Sequence, residues 1–78
     1  MTNLAHIKNG EQVTVLSVDA SDFKVKLLEM GITEGSIVKV LYRAPLGDPI
    51  AIDIKGYVLS LRKSEASLIK VQSLTQMV

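Results

Sequence analysis

The chain has 78 residues, of which 47% are hydrophobic and 22% are charged, a composition that predicts one globular domain over residues 1–78. It contains no cysteine, which excludes disulfides, thiol catalysis and cysteine-ligated metal centres. A net charge of +1 is too balanced for a dedicated nucleic-acid binder. No apolar stretch reaches the roughly 18 residues of a membrane helix, and no signal-peptide pattern is visible, so we expect a cytoplasmic protein.

Alternating apolar and polar residues predict five short strands, and these cover residues 11–18, 36–43, 50–55, 57–62 and 67–72. In this alternation, Tyr42 and Tyr57 fall on the side that we expect to face the core. A compact loop from Ala44 to Pro49 and a turn at Lys55 and Gly56 separate the middle strands.

The segment between the first two strands changes to helical spacing. Phe23, Leu27 and Met30 lie four and three residues apart, which predicts one apolar face of a helix ending at Met30. Gly31 can close this helix in a left-handed conformation, and Ile32 can then pack back on Leu27.

Five strands and one helix in so short a chain cannot cover both faces of a flat sheet. We therefore expect a mainly β fold, a small SH3-like barrel of about five strands with one α-helix and a short helical turn at residues 63–66. Curling the sheet reduces the length of exposed edge and encloses one core.

The sequence does not carry a recognisable catalytic or metal-binding constellation. His6 is the only histidine, and we expect it to face solvent near the start of the chain. The carboxylates are scattered, no Gly-x-Ser-x-Gly elbow or phosphate-binding loop is present, and we expect no enzyme activity, no cofactor and no stable metal site.

A protein partner is the remaining kind of ligand. On a helical wheel, Val25 and Leu28 lie opposite the predicted core face, so they must be exposed, covered by a loop of the same chain or covered by another chain. The rigid Ala44–Pro49 loop is a second candidate contact. The predicted partner-binding residues are Lys24, Val25, Lys26, Leu28, Arg43 and Leu46.

Three motifs resemble those of one known family, in order and at compatible spacing from about Leu4 to Val71. The first is K-L-L-E-M-G-I-T-E-G at residues 26–35, the second is A-P-L-G-D-P-I at residues 44–50, and the third runs from Gly56 through L-S-L-R to the final strand. Together they resemble the FeoA family, ferrous iron transport protein A. Two positions depart from its pattern, since Lys26 stands where the family often has Arg and Met30 where it often has Leu.

The resemblance implies an SH3-like barrel and an accessory role in ferrous iron uptake. It implies protein–protein contact with the cytoplasmic part of the FeoB ferrous iron transporter, which carries a GTP-binding domain, so the membrane is reached only through that partner. Two alternatives stay open: a metal-binding iron chaperone, and a small barrel that binds nucleic acid through a basic groove. The exposed helix face is also compatible with self-association.

Overall fold

The structure, a computed structural model, describes residues 2–19 and 21–74. It is mainly β, as predicted, and it has one more strand than expected. The six strands are β1 (Thr2–Asn3), β2 (Gln12–Val18), β3 (Ile37–Arg43), β4 (Ile50–Ile54), β5 (Tyr57–Leu61) and β6 (Ile69–Ser73). The helices are α1 (Ser21–Glu29) and α2 (Lys63–Ala66), and a 3-10 turn spans Leu4–His6.

The strands form one antiparallel sheet in the order β1-β6-β2-β3-β4-β5. Strand β1 was not predicted because two residues are too few to show an alternation. It pairs with β6, so the two ends of the described chain lie side by side. Strand β5 forms the opposite edge of the sheet.

Branched aliphatic side chains from four strands fill the core. They are fully or almost fully buried, and their alternation with polar residues places them on one face of the sheet. The set comprises Val13, Val15, Val38, Val40, Ile50, Ile52, Ile54, Ile69 and Val71. Leu4, Leu27 and Leu61 close this core from outside the central strands.

Among the described side chains of helix α1, Leu27 is completely buried, while Phe23 and, just after the helix, Met30 are partly buried against the core. The helix ends at Glu29, one residue before the predicted end, and it closes through Gly31 and Ile32 as predicted. The amide of Gly31 donates to the carbonyl of Leu28 at 3.0 Å, and the amide of Ile32 donates to the carbonyl of Leu27 at 2.9 Å. These two bonds form a Schellman motif, in which Gly31 takes a φ of 91°.

One of the two tyrosines does not lie on the face where the alternation placed it. The register of β3 against β4 shifts between Val40 and Tyr42, because Val40 pairs with Ile52 whereas Tyr42 pairs with the next residue, Ala51. This bulge turns Tyr42 to the outer face, where it is 59% exposed. The prediction that Tyr42 faces the core is therefore wrong.

Tyr57 pairs with the fully buried Ile54 and therefore lies on the predicted side of β5, but at the margin of the core, where it is 43% exposed. It begins the edge strand β5, and its hydroxyl donates a hydrogen bond to the carbonyl of Met30. The tyrosine thus bridges the sheet edge and the end of α1, using its polar tip outside the core.

The contact between Tyr57 and the end of α1 can be tested at Gly31. A Cβ at this position would lie 3.3 Å from the hydroxyl oxygen of Tyr57, in a backbone conformation that alanine adopts only under strain. We expect Gly31→Ala to lower the free energy of unfolding by about 2 kcal/mol in urea titrations.

Gly35 provides a matched control for Gly31, because it has the same φ of 91° and no atom near its added Cβ. We expect Gly35→Ala to cost only the backbone strain, about 1 kcal/mol. Equal losses at the two positions would show that the Tyr57 hydroxyl does not restrict Gly31.

Candidate partner-binding surface

The outward side of α1 carries two large apolar residues that the chain does not cover. Val25 is 57% exposed and Leu28 is 49% exposed, whereas Leu27 between them is completely buried. Of the three arrangements that the sequence allowed, coverage by a loop of the same chain does not occur among the described residues. We call Val25, Leu28 and the flanking Lys24 and Lys26 the helix surface.

The two lysines place positive charge beside these apolar groups. The Nζ of Lys24 lies 3.8 Å from Oε2 of Glu34, and both side chains are about half exposed, so the pair is weak. Lys26 is exposed and forms no ion pair with the part of the chain that the structure describes. The helix surface therefore presents apolar contact area beside two lysines, and the exposed carboxylates of Asp22 and Glu29 lie on the same helix.

Leu46 stands at the tip of the loop between β3 and β4 and is 96% exposed. The loop is braced at its base, where the amide of Ala44 donates to the carbonyl of Pro49 at 3.1 Å. Oδ1 of Asp48 accepts a hydrogen bond from the amide of Lys63 at 2.9 Å, which ties the loop to the start of α2. These hydrogen bonds brace the loop, so that Leu46 projects into solvent from a fixed position.

Arg43 has an internal role that the sequence did not suggest. Its Nη1 donates to Oδ1 of Asn9 at 2.8 Å, and its Nη2 donates to the carbonyls of Ala5 and Ile7 at 2.9 and 2.5 Å. This planar fork clamps the entry segment onto β3. Because its donors are engaged within the chain, we leave Arg43 out of the proposed partner surface.

Exposed apolar residues that sequence reasoning did not single out lie on the sheet. Ile37, Tyr42 and Val58 are each more than half exposed. The register places Val58 beside Asp53 and Asp53 beside Lys39, so this side of the sheet mixes apolar and charged groups. The sequence could have indicated that Val58 is exposed, because the four apolar residues of β5 are divided between its two faces and only one face can point toward the core.

The described residues hold no group of three His, Asp or Glu side chains that could bind a metal ion together. His6 is exposed at the end of the 3-10 turn. Every buried side-chain nitrogen or oxygen within residues 2–19 and 21–74 has a hydrogen-bond partner. No helix in the described ranges is long and apolar enough to span a bilayer.

Comparison with known proteins identifies relatives over almost the whole chain. The sequence profile of the family described as FeoA domain matches residues 2–73. A fusion of Fe(2+) transport protein A with the Fe(2+) transporter FeoB, from Porphyromonas gingivalis, is 34% identical over 70 residues. This match covers 88% of the present chain and 8% of the fusion protein, so the chain spans only a small part of that relative.

Solved structures with the same fold include two FeoA proteins. The solution structure of FeoA from Chlorobium tepidum is 36% identical with a TM-score of 0.91, covering 99% of this chain and 74% of that one. The zinc complex of FeoA from Stenotrophomonas maltophilia, described as a prokaryotic SH3 domain protein, is 26% identical with a TM-score of 0.80. It covers 92% and 91% of the two chains, and the predicted SH3-like fold is confirmed.

The internal role of Arg43 can be tested by removing its guanidinium. We expect Arg43→Met to lower the free energy of unfolding by about 2–3 kcal/mol, because it leaves the carbonyls of Ala5 and Ile7 without their donor. Lys39→Met serves as the control, since Lys39 is an exposed cation on the same strand. Comparable losses for the two variants in urea titrations would contradict the clamp.

Proposed function

The chain belongs to the FeoA domain family, and on that premise we propose that it is an accessory module of ferrous iron uptake. In this proposal it acts on the cytoplasmic side of a FeoB-type transporter by protein–protein contact and not by catalysis. The single observation that carries the proposal is the exposed apolar pair of Val25 and Leu28 beside the buried Leu27.

The fusion protein from Porphyromonas gingivalis supports the choice of partner. In that relative, transport protein A and the FeoB transporter are parts of one chain. A covalent link holds two domains at a high effective concentration, so a weak contact between them is sufficient. Where the two proteins are separate chains, transport protein A needs its own contact surface to stay near the transporter.

The helix surface has the features of such a contact. Burying Val25 and Leu28 against a partner removes apolar area from water, and this is favourable by about 25 cal/mol for each Å². The exposed ammonium group of Lys26 favours a partner surface with acidic groups at the margin of the contact. Leu46, projecting from its braced loop, supplies a further apolar group wherever the partner extends to that loop.

Contact of this kind can regulate a transporter that changes conformation. A bound module shifts the equilibrium between two states only by the difference in its affinity for them. We propose that the module binds one nucleotide state of the GTP-binding domain more tightly than the other, and thereby biases the transporter toward that state.

The proposed contact predicts that an acidic residue in the helix surface weakens binding. We expect Leu28→Asp to reduce the affinity for the purified cytoplasmic domain of the transporter at least tenfold, because it replaces an apolar contact with a desolvated charge. Calorimetry with each nucleotide state measures the affinity and its state dependence. Circular dichroism verifies that the variant remains folded.

Ile37→Asp is the matched control for this substitution. Ile37 is 53% exposed, close to the 49% of Leu28, but it lies on β3. We expect this variant to bind as tightly as the unmodified chain. Unchanged binding of a folded Leu28→Asp variant, or equal losses in both variants, would refute the helix surface as the contact.

An iron chaperone would behave differently in a metal titration. Because the described residues hold no cluster of potential ligands, we expect ferrous iron to bind this chain only weakly under anaerobic conditions. Isothermal calorimetry should give no saturation at a one-to-one ratio. Tight stoichiometric binding would instead favour direct transfer of iron by this protein.

A further inference from the structure

We infer that the free edge of β5 is a second binding site, which accepts an extended apolar peptide segment with acidic residues at its ends. The segment would add to the sheet as a further strand. This inference goes beyond the proposed function and does not rest on it, because the edge is separate from the helix surface and recognises its ligand through the backbone.

The first support is the geometry of the β4–β5 hairpin. Ile54 pairs with Tyr57 across the two-residue turn of Lys55 and Gly56, both of which have positive φ. In such a hairpin the residues that flank the turn form a hydrogen-bonded pair, and the pairs alternate from there. The N–H and C=O groups of Val58 and Ser60 consequently point away from β4.

Among the residues that the structure describes, these outward groups have no other hydrogen-bond partner. No hydrogen bond from a turn, a loop or a side chain of the described residues reaches the amide of Val58 or the amide of Ser60. The side chains of both residues are exposed as well. The N–H and C=O groups of Val58 and Ser60 are therefore available to pair with a neighbouring strand.

The second support is that β5 lacks the features that usually protect a free strand edge. Proteins protect free edges with proline, inward charges, bulges or very short strands. The five residues of β5, Tyr57–Leu61, contain no charge and no proline. The register shifts of this sheet occur in the β2–β6 and β3–β4 pairs, and the β4–β5 register is regular.

Charge at the two ends of β5 determines which strand can bind. Lys55 precedes the strand, Arg62 and Lys63 follow it, and all three are exposed. None of them forms an ion pair with the rest of the described chain. A segment with acidic residues at both ends would place its carboxylates beside these cations.

The same charges oppose the pairing of two copies of this chain. Two antiparallel β5 strands that share the outward groups of Val58 and Ser60 would be centred on Leu59, with Tyr57 of one copy opposite Leu61 of the other. This arrangement brings Lys55, just before β5 in one copy, towards Arg62 and Lys63, just after β5 in the other, and the approach of like charges is unfavourable. The cations thus select against a second copy and in favour of an acidic partner.

A synthetic peptide provides the test. The probe is acetyl-Glu-Asp-Val-Thr-Val-Thr-Val-Asp-Glu-amide, and its control replaces the four acidic residues with lysine. In NMR titrations of the whole chain we expect the acidic probe to shift the amide signals of Val58 and Ser60 most and to slow their hydrogen exchange. We expect at least tenfold weaker binding of the basic control.

Ser60→Pro removes one outward donor at a position where an edge strand tolerates proline. We expect it to weaken binding of the acidic probe about fivefold to tenfold. If Ser60→Pro fails to fold, a double variant that carries Lys55→Glu and Lys63→Glu is used in its place. We expect this double variant to bind the basic peptide better than the acidic one. Val25→Asp, on the helix surface, should bind the probe normally.

Three results would overturn the inference. They are signal changes centred away from β5, equal binding of the two peptides, and protection of the Val58 and Ser60 amides in a dimer without peptide. Loss of probe binding in Val25→Asp would assign the peptide to the helix surface instead. The transporter domain is absent from these titrations, so a negative result would not count against the proposed function. A failure of the transporter-binding experiments would likewise not count against the β5 site.

Discussion

The burial of Leu27 is the contact on which the rest of the structure depends. Helix α1 has nine residues, which is too short to be stable alone in water. Among its described side chains, only that of Leu27 is completely buried in the core, and the carbonyl of the same residue accepts the amide of Ile32 at the end of the helix. One residue therefore anchors the helix through both its side chain and its backbone.

The attachment of α1 by so few buried side chains has a direct consequence for the exposed side of the helix. A helix that is attached by one side leaves its other sides in water, and in this chain they carry Val25 and Leu28 in place of the polar residues that a solvent-exposed helix usually has. The small core could not cover them, because the sheet that would have to reach them is already closed around its own aliphatic residues. The exposure of Val25 and Leu28 therefore follows from the way the helix is attached to the core.

Sequence reasoning was most successful where short-range chemistry decides the structure. The alternation of valine and isoleucine predicted five of the six strands, and the spacing of Leu27 and Met30 with the following Gly31 predicted the helix and its closing motif. It failed for Tyr42 because one extra residue in β3 reverses the faces beyond it, and hydropathy does not mark where such a bulge falls. The internal hydrogen bonds of Arg43 were not predicted because its three acceptors are 34 to 38 residues away in the chain.

The position of Tyr57 connects the two surfaces that this chain offers to partners. Its hydroxyl reaches the carbonyl of Met30, so the first residue of the free β5 edge touches the end of the helix. One surface is apolar and recognises side chains, whereas the other presents backbone groups and cations. A partner that placed a strand along β5 would therefore approach α1 at its C-terminal end, and the two contacts would reinforce each other without either having to be strong.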